Sequence, residues 1–378
     1  MGVNKDALKA MEEINEMFKD NIMINLGETK GMNIERTPSG RLSIDTTFGG
    51  GVPDGKIIEL YGQESSGKAQ PFSSLIMTPL GWVKMGHIQQ GHIISTPDGT
   101  NSTVIGIYPQ GEQDVYEIVF DDKTTVKCTL DHLWEVQTRT SKFKEIISVK
   151  GLLERGLKTK YNTRKFKVDL IQPIEFIEKN KLSINPYLLG LLLGDGSLRK
   201  TSVVLSNTDT QLLDTVRCIL KTDYPELSLK HKGNGIDYAI TKIDRKGISN
   251  NLLLDDLRNY YLSDKYSYEK HIPKDYLFSS IENRIELLQG LIDSDGHIGV
   301  NGTISFTTTS IQLSNDFEFL TRSLGMRVST SSRFTEYKKR DGTKISGRES
   351  YTSFILLGTL DFNVSKIDRK QDRVNKHK

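Results

Sequence analysis

Two aspartates a hundred positions apart close two copies of one pattern: Pro186-Tyr-Leu-Leu-Gly190-Leu-Leu-Leu-Gly194-Asp195-Gly196 and Leu287-Leu-Gln-Gly290-Leu-Ile-Asp-Ser294-Asp295-Gly296. Each reads as an apolar helix that stops at Asp-Gly, glycine being the usual residue past a helix end. Two carboxylates brought together repel unless a cation lies between them, so paired ends of this kind predict a divalent-metal site built on Asp195 and Asp295. Metal-assisted hydrolysis is the chemistry such a site would do. For the acids to meet, the helices must run side by side. Small residues at 190 and 194, and again at 290 and 294, lie four apart on one helix face and permit that approach.

The sequence after each pattern repeats as well, VVLSNTDTQLLDTVRCIL at 203–220 against ISFTTTSIQLSNDFEFLTRSL at 304–324. Each unit therefore reads helix, turn, strand, helix, and a duplication of this length implies a pseudo-twofold α+β domain over 165–360. Strands after each pattern carry the bases: Arg199, Lys200, Lys230 and Lys232 in the first unit, Arg333, Lys338, Lys339, Arg340, Lys344 and Arg348 in the second. The second set surrounds the turn Asp341-Gly342, so 327–355 reads as a long two-stranded ribbon able to enter a major groove of double-stranded DNA. The tail, 361–378, is basic and reads as a return segment toward another domain.

A second constellation lies upstream. Gly62-Gln-Glu-Ser65-Ser66-Gly67-Lys68 fits G-x-x-x-x-G-K and follows the apolar run 56–61. A strand feeding such a loop lets backbone N–H groups wrap a phosphate while the lysine reaches its oxygens, which makes Gly62, Ser65, Ser66, Gly67 and Lys68 candidate nucleotide ligands. Ala69 then stands where a hydroxyl should hold Mg²⁺, and Gln70-Pro71 and a strand-and-turn stretch follow where a helix should begin. The motif is cut after its lysine. From there to 164, short β-rich runs alternate with Pro-Gly and Asp-Gly turns and predict a compact all-β domain. Within it, Thr129, His132 and Trp134 cluster in TLDHLW; turn chemistry at a strand end is their plain reading, and a general-acid role is open to the imidazole.

Composition fits this mosaic. The chain has 378 residues, enough for two or three domains, with 51 Lys plus Arg against 48 Asp plus Glu, so any basic surface must be local. Two cysteines exclude a disulfide scaffold and a four-cysteine zinc site and suggest a reducing, cytoplasmic setting. No apolar run is long enough for a membrane span.

Three family resemblances follow from these residues. EINEMFKDNIMINLGE, SGRLSIDTTFGGG and GKIIELYGQESSGK resemble the N-terminal part of bacterial RecA recombinases, which implies an α/β ATP-binding fragment over 1–68. SLIMTPLGWVKMG followed by VYEIVFDD and TLDHLW resembles the N-terminal blocks of an intein, a Hint-type splicing domain over 69–164. The family's spacing puts its first residue at Ala69, directly after the severed lysine. An alanine there offers no nucleophile, and Trp134 matches the minority class in which a later cysteine attacks. That resemblance implies Thr129 and His132 acting at the Lys68–Ala69 bond with Trp134 packed beside it. The cysteine block and the terminal His-Asn are missing from these residues, so the splicing domain is expected to be incomplete, its remainder lying either on a second chain, as in split inteins, or in sequence that follows these residues. Finally, the duplicated helix pattern resembles the LAGLIDADG homing endonucleases. It implies Mg²⁺ at Asp195 and Asp295, a basic residue at Lys270, and cleavage of double-stranded DNA. A domain that binds DNA without cutting, and an ATP-dependent recombinase completed by splicing, are the other readings the sequence leaves open.

Overall fold

The computed structural model describes residues 36–37, 52–53 and 70–377, apart from 142, 200, 234, 245–250, 339–343 and 358–361. Two compact units divide at Gln63 and Glu64. In the first, Arg36–Thr37 (β1) pairs antiparallel with Val52–Pro53 (β2). Gly62, Ser65, Ser66, Gly67, Lys68 and Ala69 lie outside the described residues.

The second unit opens with a β-rich segment. Leu75–Thr78 (β3) pairs with Gly81–Lys84 (β4), Ile93–Ser95 (β5) with Asn101–Thr103 (β6), and Tyr116–Val119 (β7) with Thr125–Cys128 (β8). Leu133–Thr138 (β9) is flanked by Lys144–Ser148 (β10) and Phe166–Lys167 (β11). The structure corrects the expectation of a compact all-β domain. These sheets stay separate, a helix over Val149–Arg155 (α1) follows β10, and Val136, Ile147 and Leu152 form a small buried cluster with Trp134 and Phe166 against it. So little buried apolar surface cannot hold a domain of this length on its own. Its support comes from the rest of the unit. Asp121 pairs with Arg327 at 2.9 Å, and Ile174 N–H donates to the Ser323 carbonyl. Arg284, fully buried, donates to the carbonyls of Ile174, Ser279 and Ser323 and lies 4.6 Å from the Phe176 ring centroid.

The remainder is two copies of one α+β unit. Pro186–Asp195 (α2) begins with Asn185 accepting from Leu188 N–H and proline in the first turn, where its missing N–H costs nothing. Then come Gly196–Arg199 (β12), Ser202–Ser206 (β13), Thr210–Asp223 (α3), Leu227–His231 (β14), Asp237–Lys242 (β15) and Leu252–Asn259 (α4), with sheet order β12-β13-β15-β14. Past the short helix Lys274–Leu277 (α5), the second copy runs Ile281–Asp293 (α6), Gly296–Ile298 (β16), Ile304–Thr308 (β17), Ile311–Ser323 (α7), Arg327–Lys338 (β18) and Lys344–Leu356 (β19), ordered β16-β17-β19-β18. One apolar cluster spans both copies. α2 and α6 pack directly on each other, buried along almost their whole length.

Two expected boundaries move. Phe166–Lys167 pairs with β9, so it belongs to the β-rich segment rather than to the duplicated domain. Residues 364–377, expected as a return segment, instead bury Val364, Ile367 and Val374 in the shared core and form the helix Asp368–Asn375 (α8). The basic composition concealed an amphipathic helix: Lys370, Gln371 and Val374 are its buried face.

Helix approach is set by glycine. A Cβ on Gly190 would sit 2.5 Å from the Leu287 carbonyl oxygen, and one on Gly290 would strike the Tyr187 carbonyl oxygen. Backbone cannot yield as a flexible side chain does, so Gly290→Ala is expected to push the helices apart and cost roughly 1–3 kcal/mol. Chemical denaturation, read by the fall in midpoint at unchanged slope, checks it.

Candidate active site

The helix pair delivers its C-terminal ends to one place. α2 stops at Asp195 and β12 starts at Gly196, while α6 stops at Asp293 and β16 starts at Gly296, after Ser294 and Asp295. A Cβ on Gly194 would collide with the Ser294 hydroxyl, so the two chain turns are in contact just before the acids. Asp195 Oδ2 accepts from Asn207 Nδ2 at 2.6 Å. Asp295 has no hydrogen-bond partner of its carboxylate among the described residues and keeps one side open to solvent. Even so, the packed protein beneath it, and Asp195 after that, push its pKa up to about 6. Burial raises Asp195 as well, against the Asn207 hydrogen bond and the positive charges of Lys370 and Lys270.

Each helix end is closed by a lysine. Lys270 Nζ donates to the carbonyls of Leu192 (3.1 Å), Leu193 (2.9 Å), Gly194 (3.1 Å) and Gly196 (2.7 Å). Lys370 Nζ does the same for Ile292 (2.6 Å), Asp293 (3.0 Å) and Gly296 (2.9 Å). An ammonium on the unsatisfied carbonyls of a helix C-terminus meets the negative end of the helix dipole. Burial lowers the Lys270 pKa to about 8 and lowers Lys370 too, with the aspartates opposing the shift in both. The sequence reading named Lys270 and missed Lys370. The signal was present: each lysine follows its aspartate by the same 75 positions.

The backbones carrying the lysines are held by the opposite copy. The Lys270 carbonyl accepts from Ser310 Oγ at 2.6 Å, and Ile272 N–H donates to Asp316, both acceptor and donor groups being on or at the start of α7. Around Lys370, Arg369 Nε donates to Asp209, and Gln211 bonds the Lys366 carbonyl and the Asp368 N–H, at the start of α3. Asp293 is not part of the open site. Its carboxylate is buried and accepts from Tyr187 Oη, Ser365 Oγ and Lys366 N–H, which fastens the segment before α8 to both central helices. Its counterpart Leu193 packs in the core.

Two stretches of the chain match known families. Residues 5–78 match the family model of the RecA N-terminal domain, and residues 282–356 match that of the LAGLIDADG-like domain. The chain joins a RecA N-terminal segment to a LAGLIDADG domain. Protein RecA of Fusobacterium nucleatum is 46% identical over 68 residues, 18% of this chain and 18% of that protein. The replicative DNA helicase DnaB of Mycobacterium intracellulare is 24% identical over 319 residues, 79% of this chain and 48% of that protein. The chain thus spans about half of that helicase and under a fifth of that RecA. Among solved structures, the N-terminal LAGLIDADG domain of DUF199/WhiA aligns with a TM-score of 0.26 at 9% identity, covering 47% of this chain and 77% of that one.

The sheets of the LAGLIDADG domain present a polar outer face. On β18, Val328 points into the core while Ser329, Ser331 and Arg333 take the other side, opposite Phe354, Thr352 and Ser350 of β19. Thr307 continues that face and shares a hydrogen bond with Thr352. Lys230, Lys232 and Arg333 are exposed. Two of the candidate bases are engaged elsewhere: Arg199 lies over Tyr266 (4.8 Å) and Arg348 over Tyr268 (3.7 Å), whose rings stack on each other. A bulge between Phe334 and Glu336 turns the strand near Arg348. β18 and β19 form the expected ribbon, and the backbones of Lys338 and Lys344 are paired in its register. Lys200, Lys339 and Arg340 lie outside the described residues. The Ser/Thr face is what charge counting overlooked.

In the β-rich segment, Thr129, His132 and Trp134 do come together. His132 N–H donates to the Thr129 carbonyl, and the His132 and Trp134 rings meet edge-on at 5.6 Å. His132 Nδ1 is buried without a hydrogen-bond partner among the described residues, and burial lowers the imidazole pKa, favouring the neutral ring.

A raised carboxylate pKa has a stability signature. Above about 6 the ionised Asp295 destabilises the fold; below the ordinary value of about 3.9 both states are protonated and the effect vanishes. Asp295→Asn is therefore expected to raise the melting temperature in EDTA well above pH 6. That gain should shrink to nothing as pH falls through this window. For the lysine caps, Lys370→Met should destabilise by about 1–3 kcal/mol, because three buried carbonyls lose their donor.

Proposed function

We propose that the LAGLIDADG domain is a Mg²⁺-dependent endonuclease that cuts both strands of a DNA duplex, carried by an intein that interrupts RecA after Lys68. The observation that carries this reading is the pair of Asp195 and Asp295 at one end of a backbone-tight helix pair, with a lysine under each. Two hard oxygen donors with raised pKa values suit a small divalent cation. Among the described residues no cluster of three or more metal-ligating side chains exists. Mg²⁺ keeps several waters and takes one or two carboxylates together with substrate phosphate oxygens.

Asp195 and Asp295 would hold the ion. Bound there, Mg²⁺ supplies charge stabilisation and an acidified water for phosphodiester hydrolysis. The chain's own residues do the rest. Asn207 restrains Asp195 by donating to Oδ2, which leaves Oδ1 outside that bond. Lys270 and Lys370 occupy the helix-end carbonyls and place positive charge beneath the aspartates, where it favours both the carboxylate form and an approaching phosphate. The hydroxyl-rich outer faces of the two sheets, with Lys230 and Arg333, would seat the two halves of a long site against backbone and base edges.

In the same reading the β-rich segment is an incomplete splicing domain. Thr129, the neutral His132 and Trp134 would act at the Lys68–Ala69 bond. The Gly62–Lys68 motif would bind ATP in a completed RecA product.

The test is cleavage by the full chain, with Mg²⁺, of duplex DNA spanning the uninterrupted RecA P-loop codons. Double-strand cutting is expected, and Asp195→Asn or Asp295→Asn should abolish it while leaving the gel shift intact. A wild-type chain that shifts this DNA without cutting it would make the domain a binding module, and a double asparagine variant that cuts normally would sink the site assignment.

A further inference from the structure

The β-rich segment carries a charge that neither the endonuclease reading nor the splicing reading uses. Residues 139–167 hold ten Lys and Arg against two Glu, and residues 155–167 hold six bases and no acid. Four of them, Lys158, Lys160, Arg164 and Lys165, lie on one hairpin. Thr159 N–H donates to the Thr163 carbonyl at 2.8 Å, Asn162 N–H to the Thr159 carbonyl at 2.9 Å, and Lys158 bridges to Arg164. Asn162 takes the left-handed conformation that closes the turn, at φ 59°. The hairpin runs on into β11, whose pairing with β9 ties it to the three-stranded sheet.

Lys158, Lys160, Arg164 and Lys167 are all exposed, and among the described residues none has a carboxylate partner. Of the acids nearby, Glu145 is engaged with Arg155, and Glu135 and Asp169 with Lys144, while Glu154 on α1 is exposed without an ion pair among the described residues. Unneutralised like charge on a two-residue spacing repels itself, and a tight turn that keeps it so is suited to a polyanion. Tyr161 projects at the tip, 75% exposed, with Lys160 over its ring. A tip made of Thr, Lys, Tyr, Asn and Thr donates hydrogen bonds to phosphate; a membrane anchor would put an apolar wedge there. Placement agrees. Asp121 and Asp122 fasten this segment to Arg327 and Arg322, and Arg327 opens β18, the outer edge of the second sheet.

We propose that the hairpin around Tyr161 is a second DNA-binding surface, one that holds the phosphate backbone of duplex lying outside the site seated on the LAGLIDADG sheets. This rests on the reading of that domain as a DNA binder. It adds reach and affinity without base selection, since phosphates carry no sequence.

The full chain is titrated by fluorescence anisotropy against two duplexes: a short one limited to the joined P-loop codons, and a longer one with flanks on both sides. The variant replaces Lys158, Lys160, Arg164 and Lys167 with Gln. On the long duplex, the slope of log affinity against log salt is expected to fall by about 3, with affinity at least about tenfold weaker near 0.1 M salt. Binding to the short duplex should not change, which also reports that the variant is folded. Equal affinity and slope for both proteins on the long duplex would overturn the proposal alone. A wild-type chain that binds neither duplex would overturn the reading beneath it. Phosphatidylserine vesicles serve as a third probe: vesicle binding lost in the variant, with DNA binding intact, would assign the hairpin to membranes and refute the inference.

Discussion

Everything in the LAGLIDADG domain depends on how closely two helices approach. Where Gly190 and Gly290 meet, backbone touches backbone, with no side chain between α2 and α6. That contact fixes the separation of the helix ends and therefore of Asp195 and Asp295. It also explains the composition of the pair. Helices this close bury nearly every side chain, so α2 is apolar on all sides, and polar groups appear only where they have partners, as Asp293 does with Tyr187 and Ser365.

Electrostatics then completes what packing begins. Bringing two helix C-termini together aligns two negative dipole ends and two carboxylates. The fold answers with two buried ammonium groups rather than with arginines or a hydrogen-bond network. A lysine is a compact charge on a flexible stem, able to reach three or four converging carbonyls at once. The residual strain shows in the raised carboxylate values, which is where a cation would act.

The duplication, the helix pair, the ribbon over 327–355 and the placement of Asp195 and Asp295 were legible in the sequence because each has a periodic or repeated signal. Lys370 was not, although its spacing repeats that of Lys270, because its surroundings, KIDRKQDR, look like a solvated tail and the burial of α8 comes from tertiary contact. Arg284 escaped for the same reason: nothing local announces that a helix arginine will be fully buried against carbonyls and the ring of Phe176. The β-rich segment was read as short strands and turns, which it has, but alternation within a strand does not say which hairpins join into one sheet.

The crossed attachment of the two lysines has a consequence for synthesis. The lysine beneath Asp195 is steadied by Ser310 and Asp316, and the lysine beneath Asp295 by Asp209 and Gln211. A chain growing from its N-terminus makes α2 and Lys270 before α7 exists, and α6 long before α8. The end of α2 therefore gains its ammonium and its supports once α7 is made, whereas the end of α6 waits for the segment bearing Lys370. Until α8 docks, the chain carries one helix end closed by an ammonium and one left open, so the last helix to be made is the one that completes the symmetry of the pair.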